Sequence, residues 1–67
     1  MHLYRFHFLD AAGTVTRCHS AQLPSEKAAV NLASRMLAER GRDDAVEIWH
    51  LNHLVHCEKA PRAVASR

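Results

Sequence analysis

Four side chains of the kinds that bind metals lie close together near the carboxyl end of the chain. The stretch HLNHLVHC, residues 50–57, contains His50, His53, His56 and Cys57. Imidazole nitrogens and thiolate sulfurs are ligands that zinc, nickel and copper prefer. A site for zinc or nickel is therefore one hypothesis. The spacing lacks the paired Cys-x-x-Cys of structural zinc sites, so polar residues on an exposed hairpin are the simpler interpretation.

Basic and aromatic side chains form a second candidate site. Arg5, His7, Arg17 and Trp49 are of the types that contact single-stranded nucleic acid, in which a base stacks on an aromatic ring and arginine meets phosphate. The formal net charge is only +2, and the sequence predicts no basic stripe. The same four residues are equally suited to a face that binds a protein partner.

The sequence predicts no catalytic arrangement. Cys18 and His19 are adjacent, but neighbours on a strand point to opposite faces, whereas a nucleophilic cysteine needs a base within hydrogen-bond reach. Gly13 and Gly41 are the only glycines, so a glycine-rich phosphate loop is excluded. We therefore expect a protein without enzymatic activity.

The first element that must position these side chains is an aromatic strand at the start of the chain. Tyr4, Phe6 and Phe8 alternate with Arg5 and His7. Side chains on a strand alternate between its two faces. The three rings are therefore predicted to fill the core, and Arg5 and His7 are predicted to share the opposite face of the sheet.

Two hairpins are predicted around a central helix. The stretch DAAG, residues 10–13, has the composition of a tight turn, and residues 14–20 are predicted to form an edge strand after it. Residues 45–51 and 54–58 are predicted to be the third and fourth strands, joined by a turn at residues 51–53.

Alternation also assigns faces in the second hairpin. Glu47 and Trp49 are predicted to share the outer face of the sheet with Arg5. In the last strand, Val55 and Cys57 are predicted to lie on one face and His56 on the other.

A helix is predicted over residues 24–40. Pro24 suits the first helical position, and Gly41 is placed to end the helix. Apolar residues recur at the three-and-four spacing of one helical face. These residues are Ala29, Leu32, Ala33, Met36 and Leu37.

The order of elements, β-β-α-β-β, predicts an α+β fold. The expected architecture is a four-stranded, mainly antiparallel sheet with one helix packed on one face. Residues 1–58 are predicted to form a single domain, and residues 59–67 a flexible basic tail.

The chain resembles a family of short bacterial domains of unknown function that is frequent in alphaproteobacterial genomes. The resemblance covers residues 3–58, and it departs from the family pattern at RCHSAQ and HLNH. It implies the β-β-α-β-β fold and no assigned activity. The stretches that carry it are YRFHF at 4–8, DAAG at 10–13, LPSEKAA at 23–29 and VEIW at 46–49.

Size and composition indicate how such a protein would act. A core this small rarely supplies more than about 3–5 kcal/mol unaided, and pairing with a second copy is a common remedy. We therefore expect a non-catalytic homodimer or partner-binding protein. Nucleic-acid binding and metal binding by its histidines and cysteines are the alternatives. Two cysteines, no long apolar run and no signal sequence predict a cytoplasmic protein without a membrane span or a required cofactor.

Overall fold

The computed structural model describes residues 1–40 and 43–60. Four antiparallel strands form one sheet in the order β2-β1-β3-β4, and one helix lies across one face of that sheet. This is the predicted α+β fold. The elements are β1 (His2–Leu9), β2 (Val15–Leu23), α1 (Glu26–Arg40), β3 (Ala45–His50) and β4 (His53–Lys59).

The core lies between α1 and the sheet, as the alternation in β1 predicts. Phe6 and Phe8 have no exposed surface. Small side chains on the buried side of α1 let the helix axis approach the aromatic rings closely. The fully or nearly fully buried apolar residues are Tyr4, Phe6, Phe8, Ala29, Ala33, Leu37, Val46 and Ile48.

Several element boundaries differ from the prediction. The helix begins at Glu26 because the hydroxyl of Ser25 caps it, accepting a hydrogen bond from the Ala28 amide at 3.2 Å. β2 extends to Leu23, since Leu23 pairs with the first residue of β1. β4 continues to Lys59, which places that residue in the sheet. The predicted helix end at Gly41 and tail residues 61–67 lie outside the described residues.

The first hairpin turn is held by one carboxylate. Oδ1 of Asp10 accepts hydrogen bonds from the amides of Ala12 and Thr14, each at 2.9 Å. Gly13 has a φ of 82°, a conformation that glycine adopts without a steric penalty. The DAAG turn is therefore as the sequence predicts.

The second hairpin turn is tighter than predicted. His50 pairs with His53, so only Leu51 and Asn52 connect the strands. Leu51 has a φ of 59°, a conformation rarely adopted by residues with a bulky side chain. Its side chain is also 74% exposed. Both features are unfavourable for a leucine in an isolated monomer.

The substitution Leu51→Gly is expected to raise the free energy of unfolding of the monomer by about 1 kcal/mol, because glycine adopts a positive φ without strain. Urea denaturation at low protein concentration measures the change. Asn52→Gly is the matched control, since Asn52 is not at positive φ, and it is expected to give no gain. If Leu51→Gly were no more stable than the unsubstituted protein, Leu51 would not be strained in the monomer.

Candidate functional site

The sheet face opposite α1, called the outer face below, carries three of the four residues predicted for a binding surface. Phe6 and Ile48 pair across β1 and β3 beneath the helix. The neighbouring pair, Arg5 with Trp49, therefore points to the other side. None of the described elements covers this outer face.

Trp49 is the centre of a shallow depression on the outer face. Its Nε1 donates a hydrogen bond to Oε1 of Glu47 at 3.2 Å. The imidazole of His7 lies beside the indole, with ring centroids 6.1 Å apart. Arg5 and Leu51 also line the depression, which encloses about 190 Å³. Arg5, His7 and Trp49 thus come together as the sequence predicts.

Arg17 does not lie with these three residues. It pairs with Phe8 on the helix side of the sheet, and its guanidinium carbon lies 4.0 Å from the centroid of the Phe8 ring. Its position follows from a register shift between Phe8 and Leu9 that leaves Thr16 as an extra residue in β2. The prediction that Arg17 shares the face of Trp49 is therefore wrong.

Arg17 instead forms an ion pair that the sequence did not reveal. Its Nη2 donates to Oδ2 of Asp43 at 2.9 Å, and the two side chains are 25% and 9% exposed. The hydroxyl of Thr16 lies 3.3 Å from the other carboxylate oxygen. Asp43 therefore fastens the segment before β3 to β2. The sequence does not indicate this pair, because nothing local distinguishes Asp43 from the neighbouring Asp44.

The four predicted metal ligands do not form one site. His50 packs against the ring of Tyr4 with centroids 5.1 Å apart, and His53 is exposed at the turn. Nε2 of His56 lies 3.6 Å from Oε1 of Glu58. Within residues 1–40 and 43–60, no group of three or more His, Cys, Asp or Glu side chains is arranged to hold a metal ion.

A register shift in β4 places Cys57 on the face opposite the three histidines. The shift falls between Ile48 and Trp49, so that His56 pairs with Ile48 on the helix side. Cys57 pairs with Glu47 on the outer face, whereas Val55 packs against the core. The prediction that Val55 and Cys57 share one face is wrong, because one extra residue reverses the alternation beyond it.

The outer face carries a row of polar side chains that the sequence did not predict as a group. His7 pairs with Cys18 in β2 and with Glu47 in β3, and Glu47 pairs with Cys57 in β4. Among the described residues, the carboxylate of Glu47 accepts its hydrogen bond from the indole of Trp49, not from the imidazole. The row thus places the thiol of Cys18 in register with the imidazole of His7. Both are described residues, and they are not joined by the hydrogen bond that a nucleophile and its base require.

Apolar side chains surround this polar row. Leu3 and Leu54 are each about half exposed, at 47% and 48%. At the end of the face away from Leu51 lies an open hollow of about 510 Å³, lined by Leu9, Ala45, Cys57, Lys59 and Ala60 among others. Residues of this kind, arranged in one patch, are typical of a surface that another molecule covers.

Comparison of the chain with known protein families, curated proteins and solved structures finds no match. The resemblance to a family of short bacterial domains therefore stays a prediction. No helix in the described part of the chain is both long enough and apolar enough to cross a membrane.

Proposed function

We propose that the protein is a small non-catalytic association module that pairs with a second copy of itself through the outer face. The observation that carries the proposal is an outer face with a half-buried tryptophan, Trp49, among exposed leucines. A two-layer α+β fold leaves this face of the sheet without a second layer. Packing against an identical face supplies that layer.

The area of the outer face is consistent with a weak dimer. Strands lie about 4.8 Å apart and rise about 3.3 Å per residue, so four strands of six residues present roughly 400 Å² before side-chain relief is counted. Stable interfaces bury at least about 500 Å² on each partner. We therefore expect a dissociation constant in the micromolar range, about 10 µM.

The charges on the outer face also permit self-association. Arg5 and Glu47 lie on the same face in adjacent strands. In a symmetric dimer the same patch meets itself, so a patch that contains both signs can place each charge near its opposite. A cytoplasmic location belongs to this proposal, since Cys18 and Cys57 are both exposed and free.

Single-stranded nucleic acid is a second candidate ligand for the same face. The favouring observation is that Arg5 and His7 flank Trp49 on an open sheet. A base stacked on the indole with arginine near its phosphate is a recurring arrangement in single-strand binding proteins. Glu47 weighs against it, because its carboxylate lies beside the indole and repels phosphate.

The proposed dimer is tested by varying the concentration from about 1 to 300 µM, a range that spans the expected dissociation constant. Sedimentation measures the mass, and the fluorescence of Trp49, the only tryptophan, reports whether the face is covered. The emission is expected to shift to shorter wavelength as the dimer forms. Leu54→Lys, opposite Trp49 in β4, is expected to weaken association at least tenfold, because it brings a charge into the interface.

Asn31→Lys is the matched control, since it adds the same charge to an exposed position of α1 and should leave the dimer intact. A strict monomer at the highest concentration, with constant Trp49 emission, would refute self-association. Quenching of that emission by an unstructured oligonucleotide, weakening as salt is raised, would favour the nucleic-acid alternative.

A further inference from the structure

The turn between β3 and β4 presents a leucine that the monomer does not use. Leu51 combines a positive φ of 59° with a side chain that is 74% exposed. Strain of this kind persists where the surrounding structure or a function requires it. Since Leu51 also borders the depression around Trp49, it belongs to the edge of the outer face.

The opposite end of the same two strands carries a complementary feature. The hollow of about 510 Å³ is built where β3 begins, at Ala45, and where β4 ends, at Lys59. Leu9 of β1 and Ala60 complete its apolar wall. Its volume is ample for one leucine side chain, and its lining is mostly apolar.

Symmetry relates the turn to the hollow. A two-fold axis that lies between two facing sheets and runs across their strands exchanges the two ends of each strand. It keeps β3 and β4 of one copy over β3 and β4 of the other. With the axis at the level of Ile48, Leu51 of each copy lies over Ala45 of the second copy, because the two residues are three positions from Ile48 in opposite directions.

We infer that in the dimer Leu51 of each copy inserts into the hollow beside Ala45 of the second copy. The inference rests on the proposed self-association and specifies its geometry. One contact is made twice, once at each end of the interface. Burial in the apolar hollow then offsets the strain and exposure of Leu51 in the monomer.

The same axis brings opposite charges close to each other at the centre of the interface. It places the row of Arg5 and Trp49 over the second copy's row of His7 and Glu47, since the two rows are equidistant from the level of Ile48. Arg5 then lies one strand away from the second copy's Glu47, an opposite charge. The carboxylate groups of the two Glu47 residues do not face each other.

Site-directed cross-linking tests this geometry. In a background with Cys18→Ser and Cys57→Ser, the variant that carries both Leu51→Cys and Ala45→Cys is treated with a bismaleimide whose span matches the sheet spacing of about 10 Å. A covalent dimer is expected. The two positions stand at opposite ends of a six-residue strand, about 20 Å apart, so the reagent cannot join them within one copy.

The single variants are the controls. Leu51→Cys alone and Ala45→Cys alone are each expected to give little covalent dimer, whereas an equal mixture of the two is expected to cross-link. Covalent dimer from Leu51→Cys alone would mean that the two turns meet each other, which overturns the inference. Circular dichroism establishes that each variant is folded.

Sedimentation of the background that carries Cys18→Ser and Cys57→Ser tests self-association separately from the proposed contact of Leu51. If it is a monomer throughout, self-association fails and the inference falls with it. If it is a dimer, and the Leu51→Cys and Ala45→Cys variants also sediment as dimers, a mixture that does not cross-link shows that only the geometry is wrong. As a second readout, Leu51→Gly is expected to weaken the dimer about tenfold or more, because the buried side chain is lost; an unchanged dissociation constant would overturn the inference.

Discussion

Replacing Phe6 with alanine is expected to unfold most of the protein at room temperature. Phe6 has no exposed surface and lies on β1, one of the two central strands, paired with Ile48 on one side and with His19 on the other. Removing a buried phenyl ring costs about 3–5 kcal/mol. A core of this size supplies about the same amount in total. The loss therefore removes nearly all of the stability.

Far-UV circular dichroism and urea denaturation measure the effect of Phe6→Ala. Phe6→Leu keeps most of the buried volume and is expected to remain folded, losing about 1–1.5 kcal/mol. Leu3→Ala is the matched control on the same strand, because Leu3 is on the outer face and 47% exposed. Below the dissociation constant of the proposed dimer it is expected to change stability by less than about 0.5 kcal/mol. Equal losses in Phe6→Ala and Leu3→Ala would contradict the described core.

Replacing Asp43 with alanine is expected to lower the free energy of unfolding by about 2–3 kcal/mol. The carboxylate of Asp43 is nearly buried, and it accepts hydrogen bonds from the guanidinium of Arg17 and the hydroxyl of Thr16. Its removal leaves both donors without this acceptor in a partly desolvated position. Because Arg17 retains some contact with water, the cost is below that of a fully buried pair.

A double-mutant cycle isolates the ion pair. Arg17→Ala and Asp43→Ala are measured singly and together by urea denaturation, and a coupling energy of about 1 kcal/mol or more is expected. Glu39→Ala removes an exposed carboxylate of α1 and should cost less than about 0.5 kcal/mol. Strictly additive effects of the two single substitutions would show that Arg17 and Asp43 do not interact in solution.

One face of β1 belongs to the core of the monomer, and the opposite face belongs to the surface of the proposed function. Phe6 and Phe8 face the helix and belong to the buried core, whereas Arg5 and His7 face outward on the same strand. Substitutions on the outer face are therefore expected to change association without unfolding the chain. This division makes the proposed function testable with folded variants.

The core and the class of fold follow from local patterns in the sequence. The alternation of Tyr4, Phe6 and Phe8 assigns them to one face, and the apolar spacing from Ala29 to Leu37 assigns the buried side of α1. Both are local patterns whose period is set by backbone geometry. They required no knowledge of which strands pair, and the structure confirms them.

The set of side chains that share the outer face depends on how the strands pair. One extra residue in β2 and one in β4 reverse the alternation, so Arg17 lies over Phe8 and Cys57 lies beside Glu47. A register shift depends on the partner strand and has no local signature, and it moves every later side chain to the other face.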